Sequence, residues 1–447
     1  MQIANVLTKM GWLSMSRFLP RSVAALAVIG AVSLTLSACA PIAPDGDGAL
    51  IVDIAVDGAV AEALTAEIQS LASDAGFTVE VRAVDALPTA ADLGDEPQLE
   101  ADIILTSDVS SLMALSDAGA LTPVSTLPGI VPEELFAEVG AQWMPVSANA
   151  EGDTIAFPVA VSLSSVTFVN PLAFAEHGYV IPNNTDEFDA LVATIEKDNA
   201  GYPWCAGMEN GTNSGDPFID WLAEFVLSTA GEDTYRSWLS GELSSDSPDI
   251  AAAANAARDA LATHSVAKGN SAALLTDGFA NTVPMFDLDG TYGQQCFFLR
   301  QRPDFLSFVP DVVKAEVAAG TFRQISAFPF FGAGNSATKA PIVDAVFAGV
   351  GRVDKDVVAL VTALGVTPFG DGFGDATNWV SARISTNADV RINPFAAVNS
   401  AALSGTDTIV LSPRSVMSAD RLSALRAAAV LFLSGEADWA AAAASAD

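Results

Sequence analysis

Residues 201–221 read GYPWCAGMENGTNSGDPFIDW, and three kinds of local structure follow one another in them. Tyr202-Pro203-Trp204-Cys205 has the character of a strand entering a core. Glu209 to Gly215 is a polar loop rich in glycine. Asp216-Pro217 then opens a helix, with Asp at the N-cap and Pro at the first helical position, where each is favoured. Phe218, Trp221, Leu222, Phe225 and Val226 recur at the i, i+3, i+4, i+7, i+8 spacing of a helix packed on a core. A polar loop ending at the free N–H groups of a helix N-terminus makes a place for a polar ligand. It is equally an ordinary strand–loop–helix connection in which Asp216 only caps.

Upstream, Leu50 to Val56 alternates and is β-rich. Val60 to Ala75 sets Leu64, Ile68 and Leu71 on one helical face, and Gly76 to Val81 reads as a second strand. Asp102 to Leu105 gives another strand, followed by a helix at Ser110 to Asp117. Strand, helix, strand, helix predicts a parallel sheet with covering helices. Ligands of such sheets sit beyond the carboxyl ends of the strands. Thr106, Ser107 and Asp108 lie at such an end and are candidate ligand contacts; Asp108 could instead cap the following helix. Thr154 to Val161 and Ser165 to Asn170 are short apolar runs separated by Ser162-Leu163-Ser164. Asn184 and Glu187 are spaced as a capping box.

Beyond the central stretch, Pro248 to His264 is an Ala-rich helix, Asn281 to Phe286 a strand, Ile342 to Val350 a strand and Asp354 to Leu364 a helix. Ala419 to Leu433 is the last clear element, a helix with Leu422, Leu425, Ala429 and Phe432 on one face. Asp287-Leu288-Asp289-Gly290 lacks the further oxygen ligands of a calcium loop and reads as a turn. GDGFGD at 370–375 misses the dinucleotide spacing and reads as a flexible loop.

The 447 residues hold 20 Lys and Arg against 54 Asp and Glu, a formal net charge of −34. Arg17 and Arg21 precede a 14-residue apolar run, Val23 to Leu36, which Ser37-Ala38-Cys39 follows. A basic region, a short apolar region and small residues define a secretory signal. The run is too short for a transmembrane helix. Cys39 after Leu-Ser-Ala resembles the bacterial lipobox, in which that Cys becomes the acylated N-terminus. Residues 1–14 add nothing a signal needs, so Met15 would serve as a start. We therefore expect a lipoprotein signal peptide at 1–38 and a tether at 39–48, rich in Pro, Gly and Asp.

A mature chain of 409 residues is too long for one ordinary core. The leader's only charges are Lys9, Arg17 and Arg21, which leaves −37 on the mature chain. Such a surface repels nucleic acid and anionic lipid. Attachment to a membrane then falls to the lipid, and a neutral or cationic solute suits the field better than an anion.

No cofactor or metal site is expected. His177 and His264 lie far apart on different elements. Ser265-Val266-Ala267-Lys268 and Ser336-Ala337-Thr338-Lys339 fit S-x-x-K, but neither K-T-G nor S-D-N accompanies them. G-x-S-x-G is absent from the sequence. Glycoside hydrolysis needs only two carboxylates at a set separation, and nothing marks such a pair.

Proline to glycine at 203–211, PWCAGMENG, then Asp220-Trp221 and LSTAGEDTYRSWLSGEL at 227–243, resemble the extracellular solute-binding proteins of ABC importers, family 1. The likeness is to the α-glucoside-binding branch. Cys296-Phe297-Phe298-Leu299-Arg300-Gln301 is similar to that branch's Cys-hydrophobe-Leu-X-Arg-Gln run. Weaker matches are Ala101 to Ile104, Asp117 to Leu121, Ala156 to Pro158 and Phe168 to Asn170. The resemblance runs over most of residues 49–365.

It implies an α/β protein with a two-lobed periplasmic-binding-protein fold, type II-like, and a ligand cleft between the lobes. Lobe 1 would take 49–160 and 332–385, and lobe 2 would take 161–331 and 386–447. The crossings would lie near 160–165 and 328–333. The turn into the central helix would face the cleft, which nominates Asp216, Pro217 and Phe218, with Glu209 beside them. The implied protein is a monomer, not an enzyme, that binds a solute, most simply a sugar, and delivers it to a membrane permease. An exported glycan hydrolase, or a degenerate binding protein acting as sensor or scaffold, are the rival readings.

With Cys39 assigned to lipid, Cys205 and Cys296 remain as an even pair in an exported chain, where disulfides persist. They are expected to be bonded, the alternative being two buried free thiols. Three departures bear on specificity. The branch commonly has Gly-Trp-Pro where this chain has Gly215-Asp216-Pro217, and a Lys before the Ser of the first crossing where this chain has Ser164-Ser165. Near the C-terminal helix, Asp420-Arg421-Leu422 stands where Phe or Trp is frequent. The missing aromatic platform unsettles an α-glucoside as ligand.

Overall fold

Three short β-rich runs and the amphipathic segments between them start the chain. β1 (Leu50–Ala55), β2 (Val79–Ala83) and β3 (Ile103–Thr106) pair in parallel in the order β2-β1-β3. Between β1 and β2 the Gly58–Ala75 helix buries Val60, Leu64, Ile68 and Leu71, the face that the spacing predicts. The structure is a computed structural model, and it describes residues 49–446 except 57, 96, 183–184, 266, 280–295, 303–339, 384–393 and 405. The leader with Cys39, the tether to residue 48, the expected strand at 281–286, the turn at 287–290 and the crossing near 328–333 lie outside the described residues.

The later strands are β4 (Ala156–Leu163), β5 (Val166–Val169), β6 (Tyr202–Trp204), β7 (Cys296–Gln301), β8 (Ile342–Val350), β9 (Val380–Ser381) and β10 (Val410–Leu411). β8 inserts antiparallel between β3 and β4, so the sheet runs β2-β1-β3-β8-β4-β9, with β10 parallel to the start of β8. The expectation of a parallel sheet thus holds for β2-β1-β3 and fails where β8 pairs antiparallel with β3 and β4, and β4 with β9. Every residue of β4 and β8 is buried. A strand covered on both faces reads as one apolar run, and such a run does not reveal its direction. Pro158 is accommodated in β4 because the register with β8 slips between Pro158 and Ala160, a bulge where a missing N–H is tolerated. A second sheet has the order β5-β7-β6, with β7 antiparallel to β5 and parallel to β6.

Two hydrophobic cores result. One surrounds the larger sheet and includes Val52, Ile103, Trp143, Phe157, Phe347 and Leu360. The other gathers Phe218, Trp221, Trp238, Leu261, Phe432 and Trp439. This is the two-lobed arrangement. Short stretches lie side by side where the two cores adjoin. Ser164 N donates to Ile342 O at 2.9 Å, Ser412 N donates to Val343 O at 3.0 Å, and the Tyr235 hydroxyl donates to Leu411 O at 2.9 Å.

The GDGFGD stretch is not a loop. Asp371–Thr377 is helical and ends on Asn378, which is in the left-handed region at φ 61°. Phe373 is buried against Phe369, and the helix packs on Gly58–Ala75. That burial outweighs the low helix propensity of Gly372 and Gly374.

Candidate functional site

The Asp216–Ala230 helix carries two stripes. Phe218, Trp221, Leu222, Phe225 and Val226 form the buried apolar one. Asp216, Asp220 and Glu224 form the other, four residues apart and therefore on one face. Three arginines from distant parts of the chain meet these carboxylates.

Arg414, on the short Pro413–Val416 helix, grips Asp220 with both ends of its guanidinium. Nη1 donates to Oδ1 at 2.7 Å and Nη2 to Oδ2 at 2.8 Å. The same group reaches Asp216 Oδ2, from Nε at 3.3 Å and from Nη2 at 3.2 Å. Arg426, on the Ala419–Ser434 helix, donates from Nε to Asp216 Oδ1 at 2.9 Å. Arg300 on β7 donates to Glu224 Oε1 at 3.3 Å and to Asp220 O at 3.0 Å. It also donates to the Ser165 hydroxyl, and its guanidinium lies 5.3 Å from the Trp221 ring centroid. Ser165 in turn donates to Glu224 Oε1 at 3.2 Å.

Burial pushes the Asp216 carboxyl up, but the charge of Arg414 and the bond from Arg426 together outweigh it and hold the group below its ordinary value. Glu224 goes the other way: burial raises it, and the nearby Arg300 only partly offsets this. For Arg414, burial favours the neutral form, and the charges of Asp220 and Asp216 more than reverse that.

Asp216 is not an N-cap. The N-cap is Gly215, at φ 91°, and Asp216 is the first helical residue. A Cβ at Gly215 would stand 2.7 Å from Arg426 O, so both the backbone conformation and the close approach of the Ala419–Ser434 helix require glycine. We expect Gly215→Ala to destabilise the protein by about 1–3 kcal/mol, the range for a non-glycine residue held in a sparsely populated region. An unchanged urea midpoint in that variant would contradict this.

The remaining candidates fall as follows. Thr106 is buried; its hydroxyl donates to Ala55 O at 3.3 Å and accepts from Asp108 N at 3.1 Å. Ser107 is half-buried. Asp108 caps the Val109–Asp117 helix, accepting from Ser111 N at 3.1 Å and from the hydroxyls of Ser110 and Ser111 at 2.6 Å. Glu209 is exposed, and its Oε1 accepts from Gly211 N at 2.8 Å. Pro217 is half-buried. Phe218 is wholly buried against Phe432 and Trp439, so its ring belongs to the core and presents no face to a solute. This corrects its nomination as a cleft residue: the apolar stripe, not the polar loop, governs it.

The two groups are linked by a third element. Pro413–Val416 packs against the helix that Asp108 caps, against the helix that Asp216 begins, and against Glu232–Ser240 and β8. Sequence reasoning missed Asp220, Glu224, Arg300, Arg414 and Arg426 as members of one network. The four-residue spacing of the carboxylates was the available signal. Cys205 and Cys296, 91 positions apart, are joined as a disulfide between the ends of β6 and β7.

Residues 59–293 match the family described as bacterial extracellular solute-binding proteins. The osmoprotective compounds-binding protein GgtB of Synechocystis sp. is 24% identical over 224 residues, 50% of this chain and 51% of that protein. The alpha-glucosides-binding periplasmic protein AglE of Rhizobium meliloti is 28% identical over 146 residues, 32% of this chain and 31% of that protein. The matched spans thus cover about half of the first relative and about a third of the second. Among solved structures, the bacterial solute receptor AcbH, described as preferring β-D-galactopyranose, superposes with a TM-score of 0.68 at 15% identity, over 90% of this chain and 97% of that one.

Proposed function

We propose, from the premise that this chain belongs to the bacterial extracellular solute-binding proteins, that it captures a neutral carbohydrate outside the cytoplasmic membrane and delivers it to an ABC permease. The family is one of binding proteins, which removes the glycan hydrolase as a rival. The observation that carries the reading is the pairing of a two-lobed fold shared with a galactopyranose receptor and a sequence relative named for α-glucosides. The acidic chain supports a neutral solute over an anion. In this reading Thr106 to Asp108 contribute one wall of the cleft and Glu209 to Pro217 the other. Asp216 takes the place of an aromatic platform, so the wall is ionic there and the ligand relies more on hydroxyl contacts than on stacking.

Thermal melting of the soluble mature domain against monosaccharides and disaccharides, with amino acids as controls, tests the reading. A ligand of the folded state at a hundred times its Kd adds about 2.7 kcal/mol and raises the midpoint. A rise with amino acids and none with any sugar would overturn it. Once a sugar is found, Asp216→Ala should weaken its binding by about 1–3 kcal/mol if the carboxylate accepts a hydroxyl. Unchanged affinity in calorimetric titration would leave Asp216 to its arginines alone.

The proposal includes anchoring through an acylated Cys39. Cys39→Ser should lose metabolic fatty-acid label and membrane retention; label retained in the variant would refute the anchor.

A further inference from the structure

The Pro413–Val416 helix has two different chemical faces. Ser412, just before it, donates its hydroxyl to Asp344 Oδ1, and Ser415 reaches the same oxygen at 3.4 Å. Asp344 lies on β8, the strand that joins β3 to β4 in the first lobe's sheet. Arg414, between these serines in sequence, points instead to Asp216 and Asp220 of the second lobe. Ser412, Ser415 and Asp344 are all buried, and Arg414 keeps only 19% of its side chain exposed. β10, which leads into the helix, is hydrogen-bonded on both sides. Its Val410 and Leu411 pair with Ile342 and Val343, and Tyr235 of the second lobe binds Leu411 O.

We propose that residues 412–415 form a staple between the lobes: the serine hydroxyls fasten it to the first lobe's sheet, the Arg414 fork fastens it to the second lobe's central helix, and together they set the resting angle between the lobes. The physical reason is geometric. A serine–carboxylate bond and a two-pronged guanidinium–carboxylate contact are both short-range and directional, so rotating one lobe strains one or the other. Hinge motions of two-lobed proteins are absorbed by a few residues at element ends, and these residues stand at such an end. Arg426 provides the contrast. It binds the same Asp216 from a helix whose buried face lies wholly in the second core, so it spans no junction.

The test uses the full mature protein with nitroxide labels at Glu62→Cys and Asn255→Cys, exposed positions on a first-lobe and a second-lobe helix. Pulsed electron paramagnetic resonance gives the distance distribution between them without ligand. Ser412→Ala with Ser415→Ala, and separately Arg414→Met, should broaden that distribution and move its centre; Arg426→Met should leave it as it is. Should Arg414→Met not fold, the serine pair decides alone, since it removes two hydroxyls and leaves every charge in place. Unchanged distributions in folded staple variants, or equal broadening by Arg426→Met, would overturn the staple. No solute is needed, so the result stands apart from the carbohydrate reading.

Discussion

Arg414→Met lowers the stability of the mature protein by about 3–5 kcal/mol, the range for removing one partner of a buried ion pair. The partners are buried enough for that range to apply, with 14% of the Asp216 side chain and 11% of the Asp220 side chain exposed. The loss falls chiefly on Asp220, both of whose carboxylate oxygens Arg414 holds, whereas Arg300 meets its backbone oxygen. Asp216 keeps Arg426. Arg426→Met should therefore cost less, about 1.5–3 kcal/mol, as for one hydrogen bond to a charged group. Urea unfolding midpoints rank the two variants.

The pH dependence supplies an independent sign. The folded Asp216 carboxyl lies below its unfolded value, so the stability it contributes is present above the unfolded value and is lost as pH falls through the folded one. The gap between wild type and Arg414→Met should thus narrow on acidification. A gap that widens in acid would show that Arg414 does not act through these carboxylates.

Cys205→Ser with Cys296→Ser comes next in size. The disulfide closes a loop of 91 residues, for which the chain-entropy relation gives about 4–5 kcal/mol within a usual range of about 2–5 kcal/mol. Both positions are buried, so a serine pair also leaves two hydroxyls in an apolar setting. Peptide mapping without reductant should recover one linked pair. Two thiols freely alkylated in the folded, unreduced protein would reject it, as would a double variant as stable as wild type.

Local pattern made the early strands and the major helices legible. The face of Gly58–Ala75 and the apolar stripe of Asp216–Ala230 follow directly from residue spacing. Strand direction did not follow, because β8 is buried throughout and its neighbours are chosen by tertiary contacts. The site was half legible. Asp216 stood out as a polar residue at a helix start, yet its partners lie 198 and 210 positions away, and no local rule reaches so far. The resemblance nominates Phe218 together with the turn into the helix, whereas its own place in the i, i+3, i+4 series puts it in the core. Asp371–Thr377 was misread because two glycines outvoted one buried phenylalanine.

The position of β8 also governs when the molecule can be completed. β3 ends at residue 106 and β4 at residue 163, but the strand that joins them begins at residue 342. No shorter piece of chain can close that sheet, and until β8 arrives β3 and β4 both present unpaired edges. The intervening polypeptide supplies much of the second core, which residues from Val410 to Ala446 complete only after β8 has been made. Contacts so distant in sequence slow folding, because loop closure must precede their reward. Under the proposed export, a first lobe that cannot finish early keeps the chain unfolded for longer.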